Sequence, residues 1–373
     1  MAEKVAVIGA GNGGHALAFD IASRGYRVLL YEHPKFMSNI DGIMEKGGIE
    51  AVASISKDGK EIPSCVSGFE KIDVVTADMK TAVAYAQILF MIVPSFAQET
   101  LFKLAMPHLQ DGQTVVLLPG NFGSLVFRRL MREAGIRKKV SFVESNTIPY
   151  ACRTVAPGQV LIVAIKQGLG VAALPGSEFN KVAGELKDAL NLDLFPQKNV
   201  LQAGLNNVNM IVHPATAVLN MGLFESRQGA FYFYREGMSP SVSKVQQKID
   251  DERMSVGSAL GLELDSFLKN VKMFYNLDVQ SIREFAESSP IHSSFGYDAP
   301  KTPGDRYISE DCPFLLVPLY EFGKLTGVKT PAVESIITLA SIYNNIDYFQ
   351  EGRTLHTLGL TGMSRDEILK DIQ

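Results

Sequence analysis

A glycine-rich turn between an apolar run and a helical segment constrains the fold of this chain more than any other feature. The segment GAGNGG at residues 9–14 satisfies the pattern G-x-G-x-x-G and directly follows the apolar residues 5–8. In such a strand–turn–helix context the glycines permit a tight turn, let the backbone approach a pyrophosphate and allow the helix to pack closely on the strand. The motif therefore predicts a dinucleotide-binding unit. Its predicted cofactor contacts are Gly9, Gly11, Asn12, Gly13 and Gly14.

Apolar runs typical of buried strands alternate with helical segments over the first 200 residues. The predicted strands are residues 5–9, 27–32, 88–94, 114–120 and 140–145. Their nearly continuous apolar content is what a parallel sheet covered on both faces requires, and strand–helix alternation indicates right-handed βαβ units. Residues 1–200 are therefore predicted to form a doubly wound, Rossmann-type sheet. Residues 45–67 are expected to be an irregular insertion or a small hairpin.

The character of the chain changes near residue 201, after which the regular segments all read as helices. The clearest are residues 239–261, 264–276 and 331–346. The fold class predicted for the whole chain is α/β, with an all-helical second domain over residues 201–373.

An acidic residue ends the second predicted strand and bears on the choice of cofactor. Glu32 lies 18 residues beyond Gly14, where a carboxylate can accept hydrogen bonds from the adenosine ribose and repels a 2′-phosphate. The sequence therefore predicts NAD in preference to NADP, although His33 and Lys35 soften that preference. The alternative is that Glu32 is a solvated charge at the end of a strand.

Two further loops follow predicted strands of the same sheet. Pro94 and Ser95 follow one strand, and Asn121 follows the next. Because ligands of such sheets bind outside the carboxyl ends of the strands, these three residues are predicted to border the cofactor.

The segment LNNVNMIVHPATAVLNMG combines mostly apolar residues with a narrow polar stripe. The polar residues recur at spacings of three and four, which predicts one face of one helix; they are Asn206, Asn209, His213, Thr216 and Asn220. Since the ordinary pKa of histidine lies near neutral pH, His213 is a candidate general acid or base. A lone histidine on a helix is more often structural, and that alternative stays open here.

A charged segment, GDRYISEDCPF, supplies partners for such a histidine. Asp311 could orient the imidazole, and Arg306 could bind a carboxylate through two parallel hydrogen bonds. A solvated charged loop is the alternative interpretation.

Composition excludes several classes of function. The net charge of −4 argues against nucleic-acid binding, and no apolar run reaches the ~18 residues expected of a membrane span. Cys65, Cys152 and Cys312 lack metal-ligand spacing, so neither a metal site nor a disulfide framework is predicted. With no room for a signal peptide before the glycine motif, a cytoplasmic protein that acts on small molecules is expected.

The sequence resembles the octopine/nopaline (opine) dehydrogenase family over essentially its whole length. The matching segments are GAGNGGHA (9–16), IPYACR (148–153), NNVNMIVHPATAVLN (206–220), DRYISED (305–311) and EGRTLHTLGLTGM (351–363). The similarity is greatest to bacterial members of the N-(1-carboxyethyl)norvaline dehydrogenase type. The helix carrying His-Pro with a downstream R-x-x-x-x-D is the most specific of these features.

The resemblance implies an enzyme that joins the amine of an amino acid to a 2-oxo acid and reduces the imine with NAD(P)H. His213 would be the acid/base, Asp311 its orienting carboxylate and Arg306 the ligand of a substrate carboxylate. Asn209 and Cys152 would contact substrate. The chain departs from invertebrate members in having no tryptophan, so an aromatic wall would come from Tyr or Phe, such as FYFY at residues 231–234. A homodimer is compatible with this assignment.

Two alternative functions remain compatible with the sequence. A 2-oxo-acid or ketopantoate-type reductase would act without an amine, but such enzymes typically use a lysine and NADPH. A dinucleotide-sensing protein without catalysis would not need His213, Arg306 and Asp311 together.

Overall fold

The computed structural model describes residues 3–56, 59–293 and 299–373, which group into two compact units. The first comprises the described residues of Met1–Ile55 and Glu61–Val200. The second comprises those of Ser56–Lys60 and Leu201–Gln373. Within the described residues, no helix combines the length and the apolar character that crossing a membrane requires.

The first unit is built on an eight-stranded sheet and a four-stranded sheet. The strands of this unit are β1 (Lys4–Ile8), β2 (Arg27–Tyr31), β3 (Gly48–Ala51), β4 (Ser54–Ile55), β5 (Glu61–Ile62), β6 (Gly68–Lys71), β7 (Val74–Thr76), β8 (Ile88–Met91), β9 (Thr114–Leu117), β10 (Ser141–Ser145), β11 (Tyr150–Ala156), β12 (Gln159–Ile165), β13 (Gly168–Leu174) and β14 (Asp193–Pro196). The larger sheet has the order β14-β13-β10-β9-β8-β1-β2-β7, and the smaller sheet has the order β11-β12-β3-β6.

The larger sheet confirms the predicted Rossmann-type architecture. Its neighbouring strands are parallel except for the antiparallel pair β10 and β13. All five predicted strands overlap strands of this sheet, and their residues are almost entirely buried, as expected of strands covered on both faces. The carboxyl ends of β1, β2, β8 and β9 consequently lie at one edge of the sheet.

The helices of the first unit cover these sheets. They are α1 (Asn12–Ser23), α2 (Asp41–Lys46), α3 (Met79–Tyr85), α4 (Ser95–Ala105), α5 (Gly123–Glu133) and α6 (Phe179–Leu190). Helix α1 packs against β1 and β2 of the larger sheet and also against β3, β6, β11 and β12 of the smaller one. It can do so because its sequence, NGGHALAFDIAS, is rich in small and apolar residues, all buried from Gly14 to Ala22.

The segment 45–67 is only partly as predicted. The expected hairpin forms between β4 and β5, but the same segment also contributes β3 to the four-stranded sheet, which the sequence did not predict. Strand β3 has only four residues and pairs with β12, more than 100 residues away in the chain. Such a short strand with a distant partner leaves no local periodicity to recognise.

The second unit is helical in its described residues, as predicted. Its helices are α7 (Val200–Leu205), α8 (Asn209–Leu219), α9 (Met221–Arg227), α10 (Pro240–Ala259), α11 (Phe267–Tyr275), α12 (Ile282–Ser288), α13 (Pro290–Ser293), α14 (Arg306–Ser309), α15 (Val317–Thr326), α16 (Pro331–Asn344), α17 (Tyr348–Glu351) and α18 (Arg365–Asp371). A π-helical turn, Cys312–Leu316, lies between α14 and α15. Helix α8 packs against α10, α14, α16 and the π-helical turn.

The prediction of one continuous polar helix over residues 206–220 is wrong at its start. Helix α8 begins at Asn209, and Asn206 lies between α7 and α8. The fully buried Arg253 donates to the carbonyl of Leu205 at 2.9 Å and to Asn206 Oδ1 at 3.2 Å. Asn206 Oδ1 also accepts from the backbone N–H of Asp265 at 2.9 Å. These bonds from distant residues hold Asn206 in the break, so it does not share the helical face of His213.

Candidate active site

The glycine turn has the close contacts and the open backbone that a phosphate site requires. Gly9 has φ +106°, and a Cβ on it would collide with Val93 and with the carbonyl of Ile92. A Cβ on Gly14 would overlap the carbonyl of Gly9, whereas one on Gly11 would meet no described atom within 4 Å. The first N–H groups of α1 have no acceptors within the helix and lie at its positive end. The residues present therefore fit a pyrophosphate at this turn.

Glu32 is buried at the end of β2 and tied to the glycine turn. Its Oε2 accepts from the backbone N–H of Ala10 at 3.1 Å and from Asn39 Nδ2 at 2.9 Å. Its Oε1 accepts from the backbone N–H of His33 at 2.7 Å. With only 6% of its surface exposed, Glu32 is not the solvated charge considered above. A fixed carboxylate lies next to the turn instead.

The loops after β8 and β9 meet through a side-chain hydrogen bond. Asn121 Nδ2 donates to Ser95 Oγ at 2.8 Å, and both residues are buried. Pro94 caps the N-terminus of α4, and Asn121 adopts the left-handed conformation with φ +53°. The structure thus brings together these three predicted cofactor neighbours.

A buried glutamate that the sequence analysis did not single out shapes the Asn121 loop. Glu144 Oε1 accepts from the N–H of Ser124 at 2.7 Å and from its hydroxyl at 2.5 Å, while Oε2 accepts from the N–H of Phe122 at 3.0 Å. The carboxylate therefore binds the N-terminus of α5, where negative charge is favoured. Its one signal in the sequence was a charged residue within an otherwise apolar strand.

Two residues beside the glycine turn complete its surroundings. The buried imidazole of His15 donates from Nδ1 to the carbonyl of Gly11 at 3.1 Å, and burial lowers its pKa. Cys152 on β11 donates from Sγ to the carbonyl of Asn12 at 3.4 Å, and Asn12 Oδ1 accepts from the N–H of Thr154 at 2.9 Å. Cys152, predicted to contact substrate, therefore lies against the turn in the first unit.

In the second unit, His213 and Asp311 form a buried pair. His213 Nδ1 lies 2.7 Å from Asp311 Oδ2, and the two residues are 7% and 5% exposed. Asp311 immediately precedes the π-helical turn, whose second residue is Pro313. A proline cannot donate a helical hydrogen bond, and single π-helical turns are frequent at functional sites. The turn positions Asp311 opposite a histidine 98 residues earlier in the chain.

The partner on each nitrogen defines the tautomer of His213. Since an ionised carboxylate only accepts, Nδ1 carries the proton donated to Asp311, and Nε2 is the nitrogen that can exchange a proton. Tyr307 stacks on the imidazole with ring centroids 4.1 Å apart, and the ring of Phe233 lies edge-on at 6.0 Å. The hydroxyl of Tyr234 lies 3.4 Å from Nε2. The FYFY run, predicted as an aromatic wall, thus also gives His213 a polar partner.

The two predicted substrate ligands of this unit lie on the elements that carry His213 and Asp311. Arg306 begins α14, is exposed, and makes no hydrogen bond or ion pair through its guanidinium within the described ranges. Asn209 is half-buried one turn before His213, so the two share a face of α8. Both side chains are therefore available to a ligand.

The remaining polar residues of α8 have structural roles. Thr216 donates to the carbonyl of Val212 at 2.6 Å and accepts from Gln246 Nε2 at 2.9 Å. Asn220 is the C-terminal capping residue of α8 and donates to the carbonyl of Gly237 at 2.9 Å. The polar residues of α8 and its C-terminal cap therefore include two candidate site residues, His213 and Asn209, and two residues that bind neighbouring segments of the second unit, Thr216 and Asn220.

Comparisons with known proteins identify the family to which both units of the chain are similar. The α-helical domain of the NAD/NADP octopine/nopaline dehydrogenases matches residues 196–344, and the N-terminus of NAD-dependent glycerol-3-phosphate dehydrogenase matches residues 4–119. An opine dehydrogenase from Arthrobacter sp. (strain 1C) is 32% identical over 364 residues, which are 96% of each chain.

Solved structures share the fold. Octopine dehydrogenase with NADH and L-arginine superposes with a TM-score of 0.74 at 22% identity, covering 99% of this chain and 98% of the other. Yersinopine dehydrogenase with NADP⁺ bound gives a TM-score of 0.68 at 19% identity, covering 100% of this chain and 98% of the other.

Proposed function

Since this chain belongs to the octopine/nopaline (opine) dehydrogenase family, we propose that it joins an amino acid to a 2-oxo acid by reductive condensation. The family comprises NAD(P)-dependent oxidoreductases that act on CH–NH groups. The proposed substrates are the amine of an amino acid and a 2-oxo acid such as pyruvate, with an N-(carboxyalkyl)amino acid as product.

The observation that carries this proposal is the His213–Asp311 pair, with its Nδ1–Oδ2 distance of 2.7 Å. Condensation of an amine with a carbonyl to give an imine moves two protons from the nitrogen to the oxygen that departs as water. A histidine with one nitrogen held by a carboxylate and the other available for exchange suits both transfers.

The chain's own residues have three tasks in this scheme. His213 takes a proton from the nitrogen and passes it to the oxygen, once during addition and once as water departs, while Asp311 fixes the tautomer and stabilises the imidazolium. Arg306 holds a substrate carboxylate, so that the reacting carbon is kept in place. When bound, NADH would supply the hydride for the imine carbon, and the nitrogen would take up one proton from solvent.

We expect Arg306→Lys mainly to raise KM for the carboxylate substrate, by about tenfold, with a smaller change in kcat. Lysine keeps the positive charge but loses the planar pair of donors that matches a carboxylate. Steady-state kinetics with the oxo acid varied will measure this. Arg227→Lys, at another exposed arginine of the same unit, is the control and should leave KM unchanged. An unaltered KM in Arg306→Lys would remove Arg306 from substrate binding.

We expect the unmodified protein to have a higher kcat/KM with NADH than with NADPH. The buried carboxylate of Glu32, held by Ala10, His33 and Asn39, would repel a 2′-phosphate. Glu32→Ser should narrow the ratio of the two kcat/KM values, and using a ratio cancels any loss of folded protein. Glu45→Ser, at an exposed glutamate, should not change it. A preference for NADPH in the unmodified protein would contradict this role of Glu32.

The proposed function is tested by following NADH oxidation with pyruvate, with a mixture of amino acids, and with both together. Reductive condensation requires both substrates, so NADH should be consumed only in the complete mixture. Consumption with pyruvate alone would indicate a 2-oxo-acid reductase, and no consumption in any mixture would indicate a protein that only binds the dinucleotide.

A further inference from the structure

The nitrogen of His213 that would exchange a proton already has a partner. The hydroxyl of Tyr234 lies 3.4 Å from Nε2, while Nδ1 is bound to Asp311. A ring nitrogen of imidazole makes one hydrogen bond, in the direction of its proton or lone pair. The adjacent ring of Tyr307 stacks on the imidazole, with centroids 4.1 Å apart. The hydroxyl of Tyr234 therefore occupies the position from which Nε2 would otherwise reach a substrate.

Tyr234 is also less buried than the histidine it contacts. His213 is 7% exposed, whereas Tyr234 is partly exposed. A proton on the buried imidazole is thus one hydrogen bond away from a side chain that is mostly buried but still partly exposed.

The surroundings of Tyr234 keep its phenol protonated. Burial, followed by the electrostatic effects of Tyr307 and Tyr275, raises the pKa of Tyr234 well above its usual value, and Arg306 opposes this only in part. A hydrogen bond between the side chains of Tyr234 and Tyr307 acts in the same direction as burial and also favours the protonated phenol. On its other side the ring meets His292 at a centroid distance of 4.6 Å, and the Nδ1 of His292 is 2.7 Å from the hydroxyl of Ser289. A phenol that stays neutral can donate and accept at the same time without carrying charge.

We propose that the hydroxyl of Tyr234 relays the proton between Nε2 of His213 and the reacting substrate. When the enzyme acts as an acid, the Nε2–H bond breaks as that proton binds the phenol oxygen. The original phenol proton passes to the substrate oxygen that leaves as water. The imidazolium ends as neutral imidazole and the phenol is unchanged; the reverse transfers apply when a proton is removed from the amine. The relay rests on the function proposed above and adds a catalytic residue to it.

The test determines how many protons move in the rate-limiting step of the first turnover. Rates of NADH oxidation are measured under pre-steady-state conditions in mixtures of H₂O and D₂O, with saturating amino acid and oxo acid. In the unmodified protein the rate should depend on the deuterium fraction along a curve, because two protons move together. In Tyr234→Phe the rate should fall by about tenfold or more, in line with the loss of a proton-transfer group, and the dependence should become linear.

Tyr275→Phe is the matched control, because Tyr275 belongs to the same aromatic cluster and lies with its ring centroid 5.4 Å from that of His292. It should retain both the rate and the curvature. Incorporation of 3-fluorotyrosine at position 234 keeps the ring and the hydroxyl, so it should restore most of the rate and the curved dependence. This variant also decides the matter if Tyr234→Phe folds poorly.

A linear dependence or no isotope effect in the unmodified protein overturns the relay, as does a Tyr234→Phe rate within twofold of that of Tyr275→Phe. Failure of the relay can be distinguished from failure of the proposed condensation reaction. If no condensation product forms with the unmodified protein, the proposed function fails. If product forms and His213→Gln abolishes it while Tyr234→Phe matches its control, only the relay fails.

Discussion

Replacement of His213 by glutamine should lower kcat by about 10²–10⁴-fold, the usual cost of losing a general acid or base. Glutamine nearly fills the space of the imidazole and can still donate to Asp311, but it cannot accept and release a proton near neutral pH. The affinity for NADH should remain nearly unchanged, because the glycine turn and Glu32 belong to the first unit. Steady-state kinetics gives kcat, and NADH fluorescence gives the Kd of the cofactor.

The control for this variant is His108→Gln, at an exposed histidine of the first unit, which should keep kcat and Kd. A near-normal kcat in His213→Gln would leave the assignment of the acid/base without support. A parallel loss of NADH affinity would indicate general damage to the fold rather than loss of proton transfer.

Asp311→Asn should reduce kcat to a similar extent, although asparagine has almost the same shape. The neutral amide no longer stabilises an imidazolium, and its N–H₂ group can bind Nδ1 in the wrong tautomer. Because His213 and Asp311 would act as one unit, the double variant should be little worse than either single variant.

The kcat of the double variant, compared with that of each single variant, shows whether His213 and Asp311 act together. Asp251→Asn, at an exposed aspartate of α10, is the control for removing one negative charge and should be neutral. If the losses in kcat multiply in the double variant, the two residues act independently. The contact between His213 and Asp311 would then not contribute to kcat.

Much of the first unit could be predicted because its signals are local. The glycine turn, the buried strands and Glu32 each occupy a few consecutive residues whose types have direct physical consequences. The joining of β3 to the local hairpin β11–β12 in one sheet could not be predicted, since β3 and β12 pair across more than 100 residues. No residue near β3 reveals its partner.

In the second unit, too, the features that could not be predicted depend on residues that are distant in the chain. Periodicity located α8, but the break at Asn206 is caused by Arg253 and Asp265, which lie far along the chain. His213 and Asp311 were both recognisable as candidates, yet spacing alone could not show that their side chains meet at 2.7 Å. Tyr234 was noted for its aromatic ring, whereas its hydroxyl became significant only once the structure placed it beside Nε2.

The central claim is that a carbon–nitrogen bond is formed and reduced, and product mass tests it most directly. The protein is incubated with pyruvate, ¹⁵N-labelled amino acids and NADH deuterated at the transferred position, and the products are analysed by mass spectrometry. The account predicts an N-(1-carboxyethyl)amino acid that retains ¹⁵N and carries one deuterium on the carbon newly bonded to nitrogen. Deuterium found instead in a nitrogen-free 2-hydroxy acid would contradict it.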